Sequence, residues 1–439
     1  MPTLSQDLVR SIRFNTVSSR SNARFARMVG RLLKRGGFRV AYQNVKKNGV
    51  RFSNVIGIKG SRGRPLLLCS HLDTVPAGDA RKWTRTGENP WKAKKIGGNI
   101  YGLGAADDKG SLISMMRAVS NIPAERLKRP LMFIGTFGEE SGMGGAKTFR
   151  RLWKGPKPLL ALVGEPTDLG ITYRHKGIGV IVIEIRSAAK MKIRAARKKS
   201  VFHGKSGHSS RPWLGDNALE KAVRFLRSKR TSFIEDLEGG HAANVIPDRA
   251  ALVTGPGGAR IPAGAFLDCY DAVQALVKKR ASRTDRSFRP PFLTSNFGVA
   301  RVKKKILSLT FDFRLLPSQS VKPIFVFLKK RLEAMIRRHE KVRFKIWVER
   351  DNPPLDQRLG DPLPCFGKKL LYAEGLPRRM DVKPACTEAG IYASWGVPAI
   401  IFGPGRSAGN IHAPNERVPV TQLEKAARFY ARAIEEICF

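Results

Sequence analysis

Apolar residues recur along the first 175 positions in two alternating rhythms. Leu4, Leu8 and Ile12 stand at helical spacing, as do Phe25, Met28, Val29, Leu32 and Leu33, a run closed by Gly36-Gly37. Short continuous apolar runs follow at 55–58, 66–69, 131–137 and 159–163, and another at 399–402; each has the length of a buried strand. The last of these precedes a closing helix carrying Leu423, Ala427, Tyr430 and Ile434. Alternation of this kind predicts an α/β domain.

The middle of the chain has a different texture. Residues 180–185 read as a strand, 217–226 as a helix and 306–313 as a strand with partial alternation. Ile324, Phe327, Leu328, Leu332 and Met335 then have helical spacing, with Pro323 suited to the first turn, where its missing N–H costs nothing. A strand over 342–348 precedes the break at Asn352-Pro353-Pro354. The pattern predicts a smaller α/β domain at 177–350, inserted in a larger one made of 1–176 and 351–439. Positions 255–291 read as loop-plus-helix decoration.

A chain of 439 residues with 42% hydrophobic content is long enough for two cores. No apolar run approaches the roughly 18 residues of a membrane span, and Gln6, Asp7 and Arg10 interrupt what a signal peptide needs to be apolar. A cytoplasmic protein without a membrane partner is expected. The five cysteines form no C-x-x-C pair, which fits a reducing compartment and leaves any metal to His, Asp and Glu. The 81 Lys+Arg against 35 Asp+Glu give a net charge of +46. Basic runs at 190–194, 197–199, 303–305 and 329–331 carry no interleaved aromatics, so a solvated surface is preferred to a nucleic-acid site.

Chemistry gathers where the strands end. The run 66–69 leads into His71-Leu72-Asp73, 131–137 into Glu139-Glu140, 159–163 into Glu165, and 399–402 through Gly403-Pro404-Gly405 to His412. Ligands of open α/β sheets bind beyond the carboxyl ends of the strands, so these side chains are placed to converge. Asp107 lies in a loop made pliable by Gly102, Gly104 and Gly110, just ahead of a helix at 111–119. Imidazole and carboxylate suit zinc, and His71, Asp107, Glu140, Glu165 and His412 suffice for two ions if one carboxylate bridges. Alternation puts His71 and Asp73 on one side of an extended segment, where Asp73 is expected to accept the second imidazole N–H. Neighbours on an extended chain diverge, so one of Glu139 and Glu140 is free for metal and the other for general base chemistry.

His71-Leu72-Asp73-Thr74-Val75-Pro76, the run 102–110, Gly138-Glu139-Glu140, Gly164-Glu165-Pro166-Thr167 and His412-Ala413-Pro414-Asn415-Glu416 resemble, in order, motifs of the co-catalytic zinc amidohydrolases. That family includes acetylornithine deacetylase, succinyl-diaminopimelate desuccinylase, aminoacylase and the bacterial glutamate carboxypeptidase. The resemblance implies a catalytic domain with a central mixed sheet flanked by helices, interrupted by a lid or dimerisation domain. It implies two zinc ions, with cobalt or manganese as substitutes, one held by His71 and one by His412. Asp107 would bridge them, Glu140 and Glu165 would complete the sites, and Glu139 would be the base. Gly207-His208-Ser209-Ser210 resembles the segment whose His reaches a partner's active site, so a homodimer is implied, with His208 on the oxyanion. Asn244 and Arg314 would hold substrate, Arg314 forking onto a carboxylate.

Leu103 and Gly138 depart from the commoner Arg and Asp of the family, which predicts altered loop packing. Cys386-Thr387-Glu388-Ala389 is similar to the acetylornithine deacetylase branch, and Glu388 is a candidate to recognise a cationic side chain. Expected substrates are N-acyl amino acids, then N-succinyl-diaminopimelate or dipeptides. A basic polyanion-binding protein on an inactive hydrolase scaffold is the alternative of another class.

Overall fold

The computed structural model describes residues 3–60, 63–120, 122–187, 196–229, 232–255 and 260–439. The basic run at 190–194 lies outside them. The chain forms two compact units: Met1–Arg174, Leu355–Val382 and Thr387–Phe439 in one, His175–Pro354 and Lys383–Cys386 in the other.

The first unit is built on a mixed sheet. At its centre four parallel strands lie side by side in the order Leu131–Thr136, Leu66–His71, Leu160–Gly164 and Ala399–Phe402. An antiparallel pair, Arg39–Lys47 and Val50–Lys59, extends one side, and Ile171–His175 pairs antiparallel on the other. The strand Leu66–His71 is buried at every position, as the continuous apolar run requires of a strand covered on both faces. Phe402 stacks on Phe429 of the closing helix Val420–Cys438, and the Tyr430 hydroxyl donates to the Phe402 carbonyl at 2.6 Å.

Three helices of this unit have their ends and faces set by local sequence. Helix α1 (Leu4–Ile12) begins with a capping box: Thr3 Oγ1 accepts the Gln6 N–H and Gln6 Oε1 accepts the Thr3 N–H. Helix α2 (Ala23–Arg35) buries Phe25, Ala26, Val29 and Leu33, and the chain leaves it through Gly37 at φ +79°. Helix α3 (Lys109–Val119) is buried at all but one position, and even Lys109 is inside, its Nζ donating to the Phe14 carbonyl.

The second unit carries an antiparallel sheet in the order Lys198–His203, Arg249–Thr254, Phe233–Gly239, Thr294–Lys303, Ile306–Leu315, Gly177–Ser187, Val342–Asn352. Ile181, Ile183 and Ile185 alternate inward with Leu307, Leu309, Phe311 and Phe313, and pack with the helices Ala218–Arg227, Ala263–Ala281 and Val321–Ile336. The helix Ala263–Ala281 corrects the expectation of decoration at 255–291. Its Phe266, Leu267, Val273 and Leu276 are core residues of this unit.

No helix among the described residues is long and apolar enough to cross a membrane.

Candidate metal centre

The four parallel strands end together, as the Leu66–His71 strand pairs His71 with Thr136 and the Ala399–Phe402 strand pairs Phe402 with Gly164. His71 is the last residue of its strand and is buried. Beyond Thr136 the chain turns at Gly138, whose φ of +67° favours glycine and would strain an Asp there. The Gly138 carbonyl accepts the Met143 N–H at 2.7 Å, closing the turn that presents Glu139 and Glu140. Asp107 comes from the loop before α3, and His412 from the loop after the Ala399–Phe402 strand, at φ +57°.

These side chains meet around Asp107. One of its oxygens, Oδ1, lies 3.0 Å from His71 Nε2, and the other, Oδ2, lies 3.2 Å from His412 Nε2. Glu140 Oε1 is 3.1 Å from the same His412 nitrogen. Two sets of candidate ligand atoms lie within 4.8 Å of one another: His71 with Glu139 and Glu140, and Asp107 with Glu140 and His412. Glu165 follows the strand Leu160–Gly164 and is buried, but it belongs to neither set.

The electrostatics identify what the cluster needs. His71 Nδ1 lies 3.0 Å from the main-chain carbonyl of Asp73. A carbonyl only accepts, so Nδ1 carries a proton, and Nε2 faces Asp107 with a lone pair when the ring is neutral and with a second proton when it is charged. A lone pair and a carboxylate oxygen at 3.0 Å repel unless a positive charge sits between them. Burial disfavours charge on both rings, yet Asp107 and Asp73 raise the pKa of His71, and Glu140 and Asp107 raise that of His412 to about 12. Burial also disfavours charge on Asp107, but the two imidazoles hold its pKa far below the usual carboxylate range. Carboxylates that pull protons this strongly onto imidazoles offer the field and the N/O donors that a divalent cation takes up.

Asp73 does something other than what its spacing suggested. Its carboxylate stands 3.7 Å from His71 Nδ1, too far for a hydrogen bond. It instead accepts the main-chain N–H of Glu139 (3.0 Å) and of Glu140 (3.3 Å) and the Ser18 hydroxyl (2.6 Å). Burial, with Glu165 and Glu140 nearby, raises the pKa of Glu139 well above the ordinary value.

Three supports were not read from sequence. Glu416 is buried and accepts the N–H groups of Gly104, Ala106 and Asp107, fixing the loop that carries Asp107; burial and Asp107 push its pKa to about 7. Ser70 donates to Asp108, whose burial raises its pKa to about 7. Glu388 is 1% exposed and accepts from Thr136 Oγ1 (2.7 Å) and Cys69 Sγ (3.3 Å). Both of these bonds end on Oε2.

In the second unit, His208 pairs with Val245 across a two-residue ladder, and the Asn244 carbonyl accepts the Ser209 N–H at 3.0 Å. His208 is exposed, and its Nδ1 lies 2.7 Å from the Ser210 hydroxyl and 3.2 Å from the Ser210 main-chain nitrogen. Arg314 is buried, and its Nε and Nη2 donate to Asp312 while Nη2 also donates to Ser209 Oγ. Ser209 thus links the three residues expected to touch substrate.

Comparison with known proteins places this geometry. Over its full length the chain is 27% identical to an acetylornithine deacetylase of Myxococcus xanthus, of which it covers 98%. It is similar in fold to the aminoacylhistidine dipeptidase of Vibrio alginolyticus (TM-score 0.67, 16% identity, 99% of this chain and 96% of that one). It is also similar to an M20 family metallo-carboxypeptidase of Sulfolobus solfataricus (TM-score 0.62, 16% identity, 99% of both chains). Residues 67–436 match peptidase family M20/M25/M40, and the chain, with its strand-end cluster of His, Asp and Glu, belongs to that family of metallopeptidases and related hydrolases.

Proposed function

We propose that the protein is a zinc-dependent hydrolase of the amide bond in N-acyl amino acids, of the acetylornithine deacetylase type. The observation that carries this reading is Asp107, which turns one carboxylate oxygen to His71 and the other to His412. Asp107, Glu140 and His412 would hold one ion, and His71, Asp107 and Glu165 the other. Such ions, when bound, polarise the scissile carbonyl and acidify the attacking water.

The protein's own groups do the rest. Glu139 takes the proton of the attacking water and returns it to the leaving amine, a task for which a carboxylate of raised pKa is matched. Asp73 keeps Glu139 and Glu140 in place through their N–H groups. His208, in the tautomer that carries its proton on Nε2, donates to the developing oxyanion of the partner's substrate in a homodimer. Asn244 and Arg314 bind the substrate's amino-acid portion, Arg314 through Nη1, the nitrogen that Asp312 and Ser209 leave over. The second unit is then the lid and dimerisation domain.

The whole-length likeness to an acetylornithine deacetylase supports the choice of acyl group. The deciding experiment is metal analysis of the purified protein, with turnover assayed on N-acetyl-ornithine, N-succinyl-diaminopimelate and a dipeptide panel. The expected result is two equivalents of zinc and highest kcat/KM on N-acetyl-ornithine. Highest activity on another substrate of the panel reassigns the substrate. No bound zinc and no turnover on any of them after zinc addition overturns the reading.

A further inference from the structure

The charge of +46 is not spread evenly over the molecule's helices. Helix α2 carries Arg24, Arg27, Arg31, Lys34 and Arg35 and no acidic residue. At 3.6 residues per turn these five fall within an arc of about 100°, along about 16 Å of the axis. All five are exposed, directly opposite the face that Phe25, Ala26, Val29 and Leu33 bury. Among the described residues no carboxylate lies within 4.0 Å of any of them.

The fold does not ask for this arrangement. Arg24/Arg27, Arg27/Arg31, Arg31/Lys34 and Arg31/Arg35 are like-charge pairs at i,i+3 or i,i+4, and each destabilises the helix. Arg24 in the first turn also opposes the helix dipole, and the N-cap Asn22 makes no side-chain cap. A face of one sign, self-repelling and unpaired, is relieved by an anionic partner.

We propose that the exposed face of α2 binds the phosphate backbone of duplex nucleic acid without reading its sequence. Four of the five cations are arginines, whose forked donors fit phosphate oxygens. Their reach of about 16 Å matches the axial rise of roughly five base pairs of a duplex. The groove beside the stripe is lined by Asp7, Arg10, Met28, Arg31, Leu32 and Arg35. It holds no aromatic ring on which an unpaired base would stack, which favours a duplex over a single strand. Its single carboxylate, Asp7, lies 3.9 Å from Arg10. The apolar residues of α2 face the core or are half-buried, so the helix has no side to insert into a bilayer.

The test is fluorescence anisotropy of a labelled random-sequence 20-base-pair duplex, titrated with the full-length protein between 50 and 200 mM salt. R24Q/R27Q/R31Q is expected to weaken binding at least tenfold at 100 mM salt and to reduce the salt slope by about 2–3. The same variant should unfold at a higher temperature than wild type, because the repulsion is relieved; this separates lost contacts from lost structure. K303Q/K304Q/K305Q removes three exposed cations from the second unit and should change binding less than twofold. Equal weakening by both triple variants means diffuse charge and overturns the proposal, as does failure of wild type to bind duplex at 50 mM salt. Capture by phosphatidylserine vesicles that outcompetes the duplex and is lost in R24Q/R27Q/R31Q assigns the stripe to a membrane surface and overturns it too.

Discussion

The main-chain N–H of Glu139 donates to the carboxylate of Asp73 at 3.0 Å, across 66 positions of sequence. Asp73 is buried and takes the Glu140 N–H and the Ser18 hydroxyl as well, so one side chain fixes the turn that carries the proposed base and a proposed ligand. Asp73→Ala leaves two N–H groups and a hydroxyl without their acceptor. Unsatisfied buried groups cost about 1–3 kcal/mol each. The expected outcome is a loss of about 2–4 kcal/mol in urea unfolding with kcat down at least tenfold; Asp73→Asn, which keeps one acceptor oxygen, should lose less of both. Equal stability of Asp73→Ala and wild type would falsify the positioning role.

Glu139 and Glu140 are adjacent, yet only Glu140 approaches His412. Different tasks should therefore separate on substitution. Glu139→Ala is expected to lower kcat by about 10²–10⁴, the usual worth of general acid–base catalysis, while zinc content stays near that of wild type. Glu140→Ala should lose metal along with activity. Elemental analysis of both variants beside their turnover decides the matter: metal loss in Glu139→Ala, or full metal in Glu140→Ala, contradicts the division of labour.

The α/β class and the buried strands were legible because a strand covered on both faces shows as an unbroken apolar run, as Leu66-Leu67-Leu68-Cys69 does. Strand ends then pointed to His71 and Glu140. The strand Arg39–Lys47 was not legible, since most of its residues are exposed and only its pairing with Val50–Lys59 defines it. The helix Ala263–Ala281 was undervalued because Pro and Gly surround it, although its apolar side fills a core. Around the candidate centre, residue types carried the signal and long-range backbone contacts did not. Asp73 looked like the partner of its neighbour His71, whereas its acceptors serve a turn far along the chain. The role of Glu416 was not legible, because its partners are the N–H groups of residues some 310 positions earlier.

Glu416 supplies the next expectation. Its carboxylate receives three N–H groups of the loop that ends in Asp107. Glu416→Gln loses one acceptor oxygen and brings an amide donor against N–H groups that are themselves donors. Destabilisation of about 1–3 kcal/mol is expected, together with weaker zinc retention on chelator titration, because Asp107 is no longer held between His71 and His412. A variant with lowered stability but wild-type zinc affinity would confine Glu416 to a structural role.

His175 gives a dependence on pH that lies away from the candidate metal centre. The ring is fully buried, its Nδ1 is 2.9 Å from the Lys176 carbonyl, and burial, aided by the Lys383 charge, lowers its pKa to about 4. In the unfolded chain the same group titrates near its usual ~6.5. Between those values the unfolded state binds a proton that the native state refuses, so stability rises with pH through the window. The contribution is complete above about 6.5 and is lost as pH falls toward 4, reaching on the order of 3 kcal/mol. Carboxylates titrate in the same range, so the comparison that isolates His175 is between wild type and His175→Gln, each unfolded in urea at pH 4.5 and pH 7.5. The Gln variant should lose less stability on acidification than wild type does. Identical losses in the two proteins would mean that His175 is protonated in the native state or exchanges with solvent despite its burial.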